Sequence, residues 1–334
     1  MTRVLTTVGL GTALLVAAPA IAMAEAKEVR FGVFFSDRAN VVGKVLRPWA
    51  KWLKEKSAGA VKVKFFFGGT LGRNPREQYK LVRSGIMDIG FVVPSYTPGT
   101  FPDFDLFQAP NMARNSTEGS YAAWQLYKAG LIRNLDKIKV LGVFTTGAYS
   151  IHTVKPVKTI ADLRGMKLRA GGRVQNRIVT ALGATPVGMR VTKIAENISR
   201  GLLDGSVSEW NAAKTFKILK VTKSHFHTSL GVLPIMVAMN KKVYEALPDK
   251  VKRLVPEGLA LMSQLQGAAS DKATAASIAK VKITDGTIYT PVSAADRRAM
   301  KEAFAGINAD LRKMVGEARW QAYEKALKEV RGNN

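Results

Sequence analysis

The chain has 334 residues, 51 Lys+Arg against 25 Asp+Glu, three His and no Cys. The length suits two ordinary domains, since single cores stop growing near ~250–300 residues, and 47% apolar residues are enough to fill them. The missing cysteines exclude disulfides, Cys-ligated metal sites and a thiol nucleophile, while a net charge of +26 points to nucleic acid, an anionic membrane surface or a small acid.

Met1-Thr-Arg3, the uncharged apolar stretch Val4–Ala22 and the small-x-small sequence Ala22-Met23-Ala24 predict a cleaved signal peptide over residues 1–24. The alternative is an N-terminal membrane anchor, although Thr, Gly and Pro dilute the apolar stretch. No later segment holds ~18 consecutive apolar residues, so the mature protein is expected to be soluble and exported. Export weighs against nucleic acid as the partner. So do the dispersed basic residues, which form pairs such as Lys241-Lys242 and Arg297-Arg298 rather than runs.

Val29–Phe35 reads as a buried strand, and Val41–Ser57 as an amphipathic helix with Trp49 and Trp52. Val61–Phe67 is a second strand, Pro75–Ser84 a helix and Ile86–Pro94 a third strand, ending in a turn-rich stretch to Pro102. That alternation is the pattern of a parallel α/β sheet. A second set begins with strands at Val140–Thr145 and Tyr149–Val154. It continues with a short helical turn and its stop over Ile160–Gly165, a strand at Lys167–Arg169, the pair Gly171-Gly172 and a helix over Val174–Leu182. Pro186–Met189 and Gly205–Trp210 are predicted strands on either side of a helix over Thr192–Arg200. Leu233–Asn240 follows, then one long helix from Lys250 to about Lys280, expected to lie across both domains. Ile283–Val292 returns as a strand before helices over Ala294–Val315 and Glu317–Val330.

Enzyme signatures are absent: there is no G-x-S-x-G, no G-x-x-x-x-G-K-[ST] and no H-E-x-x-H. Gly171-Gly172 lacks the frame of a dinucleotide loop. His225 and His227 share one face of a strand, a metal-ligand spacing with no carboxylate nearby, so ordinary surface or core histidines fit as well. No metal and no cofactor is expected. Arg169 ends a predicted strand, where ligands bind at the carboxyl edge of an α/β sheet, and its guanidinium matches a carboxylate bidentately. An interdomain salt bridge is the alternative use of that residue.

Taken together, these segments resemble the solute-binding proteins of tripartite ATP-independent periplasmic (TRAP) transporters. The resemblance covers essentially the whole mature chain. It is carried by Val29-Arg-Phe-Gly32, Phe67-Gly-Gly-Thr-Leu-Gly72, Ile86-Met-Asp-Ile-Gly90 and, most strongly, Ile160-Ala-Asp-Leu-Arg-Gly-Met-Lys-Leu-Arg169. Ala181-Leu-Gly-Ala-Thr-Pro186, Gly201-Leu-Leu-Asp-Gly205 and Met239–Pro248 complete the order. The resemblance implies a two-lobed α/β fold, each lobe a mixed or parallel sheet flanked by helices, with the long helix spanning both. Residues 27–148 plus 235–280 would form lobe I, and 149–234 plus 281–334 lobe II. The crossings would fall near Gly147–Ser150, near Val232–Met236 and after the long helix. It further implies a periplasmic, monomeric, non-catalytic receptor that closes on an organic acid, anchors its carboxylate on Arg169 and delivers it to the membrane subunits of the transporter. The competing reading is a secreted enzyme acting on an acidic small molecule.

By the same matching, Phe34, Tyr96 and Tyr149 stand where the sialic-acid-binding branch has polar residues or Arg. Ser208 and Trp210 fall where other members place ligand contacts. Gln175 and Gly172, at the turn after Arg169, complete the candidate set. Each aromatic can instead belong to a core. If most of them line the cleft, an aromatic or hydrophobic monocarboxylate, keto and hydroxy acids included, is favoured over a sialic acid. Arg190 is a second candidate cation, and would favour a dicarboxylate.

Overall fold

The computed structural model describes residues 26–332, so the expected signal peptide lies outside the described residues. Among the described residues no helix is long and apolar enough to cross a membrane. The strands are, in chain order, β1 (Lys27–Gly32), β2 (Val61–Phe66), β3 (Ile89–Val92), β4 (Ile138–Ala148), β5 (Ser150–Thr153) and β6 (Lys167–Ala170). They continue as β7 (Thr185–Gly188), β8 (Gly205–Ser208), β9 (Ser224–His227), β10 (Val232–Asn240) and β11 (Ile288–Pro291). They form two sheets, ordered β2-β1-β3-β10-β4 and β11-β9-β5-β8-β6-β7. In the first, β1 runs parallel to β2 and β3, while β10 is antiparallel to β3 and β4. In the second, β6 is parallel to β7 and β8, while β5 is antiparallel to β8 and β9. Helices flank both sheets, giving the two-lobed α/β architecture with mixed sheets.

Most elements follow from local chemistry. Val29 and Phe31 of β1 are fully buried. On the edge strand β2, Lys62 and Lys64 face solvent and Lys64 pairs with Glu28 at 3.2 Å, the charged decoration that keeps an edge from pairing further. The expected helix over Val41–Ser57 is split: Val42–Leu46 is a π turn and the α-helix runs from Arg47 to Lys56. Pro48 has no N–H to close an α-turn, and the N–H of Arg47 reaches back to the Val42 carbonyl instead. A helix with no counterpart among the expected elements, Ser116–Lys128, lies on β4.

The long helix runs over Asp249–Lys282, about 50 Å at 1.5 Å per residue. It reaches both sheets. Its Asp271 carboxylate accepts the N–H groups of Ser116 and Thr117 at 2.8 and 3.0 Å, and Lys282 at its far end sits over the Tyr289 ring of β11.

The chain first passes between the sheets at Tyr149, where β4 runs almost directly into β5. The return passage is Thr228–Gly231, slightly earlier than expected, because β10 already begins at Val232. The two passages are bonded to each other: Tyr149 N–H donates to the Gly231 carbonyl (2.9 Å) and Leu230 N–H to the Tyr149 carbonyl (3.2 Å). Gly231 has φ +85°, and a Cβ there would stand 2.3 Å from the Gln108 carbonyl oxygen. Gly231→Ala is therefore expected to lower unfolding stability by about 2–4 kcal/mol, measurable by urea denaturation. A loss below about 0.5 kcal/mol, the range of neutral surface changes, would mean that the passage adapts freely.

One expected boundary needs correction. The C-terminal helix Glu317–Gly332 does not join the second lobe with the rest of 281–334. Tyr323 packs edge-on against Phe107 (5.4 Å), Arg331 pairs with Glu118 (2.7 Å) and Arg319 donates to the Leu131 carbonyl (2.6 Å). These contacts hold the helix on the side of the first sheet.

Candidate ligand-binding cleft

Between the two sheets lies a cavity of about 110 Å³. Engineered apolar cavities of ~150 Å³ hold benzene, so the space is slightly below that of one small ring. Phe34, Tyr96, Tyr149, Arg169 and Ser208 line it, as the sequence suggested.

Arg169 sits in β6, at the edge expected from the strand pattern, and is only 3% exposed. Its Nε donates to the Met189 carbonyl (3.3 Å) and an Nη to the Tyr96 hydroxyl (3.2 Å). Arg169 belongs to none of the ion pairs among the described residues, so the interdomain salt bridge considered for it is not formed. A buried guanidinium without a counter-ion is costly unless something anionic completes it.

Both glycines after Arg169 have steric work that differs from cradling an anion. A Cβ on Gly171 would stand 2.9 Å from the guanidinium, so a larger residue there would push the Arg169 side chain aside. A Cβ on Gly172 would come within 3.3 Å of Ser95, where the two halves of the molecule touch. Gly172 is not part of the cavity lining, and neither is Gln175, whose Oε1 instead accepts the Gly171 N–H at 2.6 Å and so fixes the loop. Arg190 is exposed and also outside the lining.

Trp210 is displaced for a different reason. The expected strand over Gly205–Trp210 stops at Ser208, and Trp210 opens a helix to Thr215. The indole turns away from the cavity and is fully buried against the imidazoles of His152, His225 and His227. These are all of the chain's histidines. His152 Nδ1 lies 2.9 Å from His225 Nδ1, and His152 Nε2 lies 3.2 Å from the Ser208 carbonyl. His152 therefore carries its proton on Nε2, and His225 donates through Nδ1. Trp210 Nε1–H donates to His227 Nδ1 at 3.3 Å. Burial holds His152 down at about 3 and His225 at about 4, so both are neutral at physiological pH. No group of three or more His, Asp or Glu among the described residues is arranged to hold a metal ion.

The structure adds residues that sequence reasoning missed. Phe34 stacks on Phe216, with centroids 6.4 Å apart and rings 11° from parallel, and both line the cavity. Phe35, Phe91 and Phe144 extend this wall, Phe35 meeting Phe91 edge-on at 4.9 Å. Glu209 also lines the cavity. Outside the cavity lining, Arg173 and Asp105 pair at 2.7 Å.

The family model for bacterial extracellular solute-binding proteins of family 7 matches residues 31–314. A solved TRAP solute-binding protein from a marine metagenome, specific for aromatic acid ligands and crystallised with 3-hydroxybenzoate, is 30% identical. The likeness covers 92% of this chain and 99% of that one, with a TM-score of 0.83. The 2,3-diketo-L-gulonate-binding periplasmic protein YiaO of Escherichia coli is 25% identical over 86% of this chain and 87% of its own. The C4-dicarboxylate-binding periplasmic protein DctP of Rhodobacter capsulatus is 21% identical over 95% and 96%. The chain belongs to family 7 of the bacterial extracellular solute-binding proteins, the receptors of TRAP transport.

Proposed function

We propose that this protein is a periplasmic receptor that closes on one small aromatic or hydrophobic monocarboxylate, keto and hydroxy acids included. It would release the acid to the membrane subunits of a TRAP transporter. The observation that carries this reading is the buried, counter-ion-free Arg169 facing a cavity whose wall includes Phe34, Phe35, Phe91, Phe144 and Phe216. Export by cleavage of residues 1–24 and action as a monomer are part of the proposal. So are two lobes hinged at Tyr149, at Thr228–Gly231 and at the end of the long helix, with residues 27–148 and 235–280 in the first. The enzyme alternative has no nucleophile–base pair among the described residues of the cavity to support it.

The magnitudes favour a closing cleft over an open patch. A hydrogen bond to a charged group contributes about 1.5–3 kcal/mol, whereas micromolar binding needs about 8 kcal/mol. Burying an aromatic ring of about 150 Å² adds roughly 4 kcal/mol. Excluding water also strengthens the ion pair. Arg169 would thus select acids as a class, and the phenylalanines would select which acid. The likeness to a receptor for aromatic acids supports the same choice.

The test is thermal unfolding of the mature protein with benzoate-like, phenylpyruvate-like, dicarboxylic and sugar acids, and with neutral amides as controls. At 100 times its dissociation constant a ligand adds about 2.7 kcal/mol, a rise of a few °C at this size. Aromatic acids are expected to give that rise and the amides none. A rise with dicarboxylic or sugar acids alone would replace the ligand class, and no rise with any acid would overturn the reading.

A further inference from the structure

Among the described residues, Arg169 and Glu209 are the only formally charged side chains lining the cavity. Glu209 is 4% exposed, and its Oε1 and Oε2 accept the N–H groups of Ala212 (2.5 Å) and Asn211 (2.7 Å). Among the described residues no Lys, Arg or His pairs with it. On the long helix, Gln266 spends its Nε2 on the Thr145 carbonyl (3.2 Å), and its Oε1 is buried with no partner. Gln266 also lines the cavity. The neighbouring Ser208 hydroxyl is already engaged with Ser206 at 2.8 Å. The cavity thus has a donor pole at Arg169 and an acceptor pole at Glu209 and Gln266, where Gln266 Oε1 has no partner and each Glu209 oxygen, already bonded to an amide, can accept further.

We infer that Glu209, supported by Gln266, is a specificity-determining residue that selects acids bearing a hydroxyl and rejects acids bearing a second carboxylate. The inference rests on the carboxylate reading of Arg169 and refines the ligand class of the same site. A hydroxyl donates to the acceptor pole and compensates a buried carboxyl that has no cation. An ether of similar size cannot donate and leaves the acceptors empty, which is how sites built to bond a hydroxyl discriminate. A second carboxylate would meet another acid in a water-poor space, where like charges repel strongly. Burial holds the Glu209 carboxyl up at about 7, against partial relief from the Asn211 and Ala212 amides. The ionised carboxylate, dominant above that value, accepts the stronger bond and repels a second carboxylate, so binding is compared at pH ~8.

The test compares benzoate, its three monohydroxy isomers, 3-methoxybenzoate and benzene-1,3-dicarboxylate by calorimetry on the wild type and on Glu209→Gln. In the wild type one hydroxybenzoate is expected to bind about 10- to 100-fold more tightly than benzoate, the equivalent of one charged hydrogen bond. The ether and the diacid should bind no better than benzoate. Glu209→Gln should shrink the hydroxyl preference to a few fold and strengthen diacid binding. Equal binding of benzoate and all three hydroxy isomers to the wild type overturns the inference without needing any variant. So does an unchanged preference in a Glu209→Gln variant that melts cooperatively. Failure of all six acids to bind overturns the carboxylate reading itself, and the inference with it.

Discussion

Arg169→Ala is expected to weaken binding of the receptor's acid by roughly 100- to 1,000-fold, the cost of removing one partner from a buried ion pair. The large effect follows from the setting. Arg169 is 3% exposed, has no carboxylate of its own, and spends its protein hydrogen bonds on the Met189 carbonyl and the Tyr96 hydroxyl. A ligand carboxylate would be the only group to neutralise it. Arg169→Lys keeps the charge but loses the planar fork, and should retain part of the affinity, about tenfold below wild type for one lost charged hydrogen bond. The ligand-free melting temperature of Arg169→Ala should not fall, because no ion pair is broken. Full affinity in Arg169→Ala, measured by calorimetry, would remove the anchor assignment whatever the ligand proves to be.

Unfolding stability is expected to drop as the pH is lowered from 6.5 to 5. In an unfolded chain histidine titrates near ~6.5, whereas burial holds His152 at about 3 and His225 at about 4 in the fold. His227 is lowered by the same cause, with the Lys282 charge adding to it. Between the folded and unfolded values the unfolded chain binds more protons. The stabilisation from neutral imidazoles is therefore complete above pH 6.5 and declines below it, each histidine contributing up to ~1.4 kcal/mol per pH unit. Glu209 acts in the opposite sense. Its folded value, about 7, lies above its ordinary 4.5, so the fold takes up that proton first and gains as the pH falls through this window. His152 and His225 together outweigh Glu209 by up to ~1.4 kcal/mol per pH unit, and His227 adds to the loss. Glu209→Gln removes the opposition, and its pH profile should be steeper than that of the wild type. Flat melting temperatures from pH 7 to 5 in both proteins would show that the histidines are not buried together.

How much of this was legible in the sequence depends on how far apart the interacting residues lie. The place of Arg169 could be read because it depends on a local pattern, a strand end followed by two glycines. The strand order and the long helix were legible for the same reason. Phe216 and Glu209 were not, because the strand containing Glu209 was read two residues too long. Matching to the family then assigned Trp210 to the ligand, whereas the Glu209 carboxylate caps a new helix and the indole lies in the core. The helix Ser116–Lys128 buries small residues such as Gly119, Ala122 and Ala123, which give little hydrophobic periodicity. Its capping pair was nonetheless present, with Asn115 accepting from the Glu118 N–H. The histidine cluster joins residues 73 positions apart, and a single sequence holds no trace of that pairing.

Tyr149 occupies two places at once. Its backbone is bonded to both Gly231 and Leu230 where the two strands pass between the sheets, and its ring lines the cavity. A substitution there would alter the shape of the pocket and the ease of bending in a single step. Phe34 and Phe216 line the same cavity from segments outside those passages. Diversification of ligand preference in descendants of this protein should therefore proceed first through positions such as these, with Tyr149 changing last.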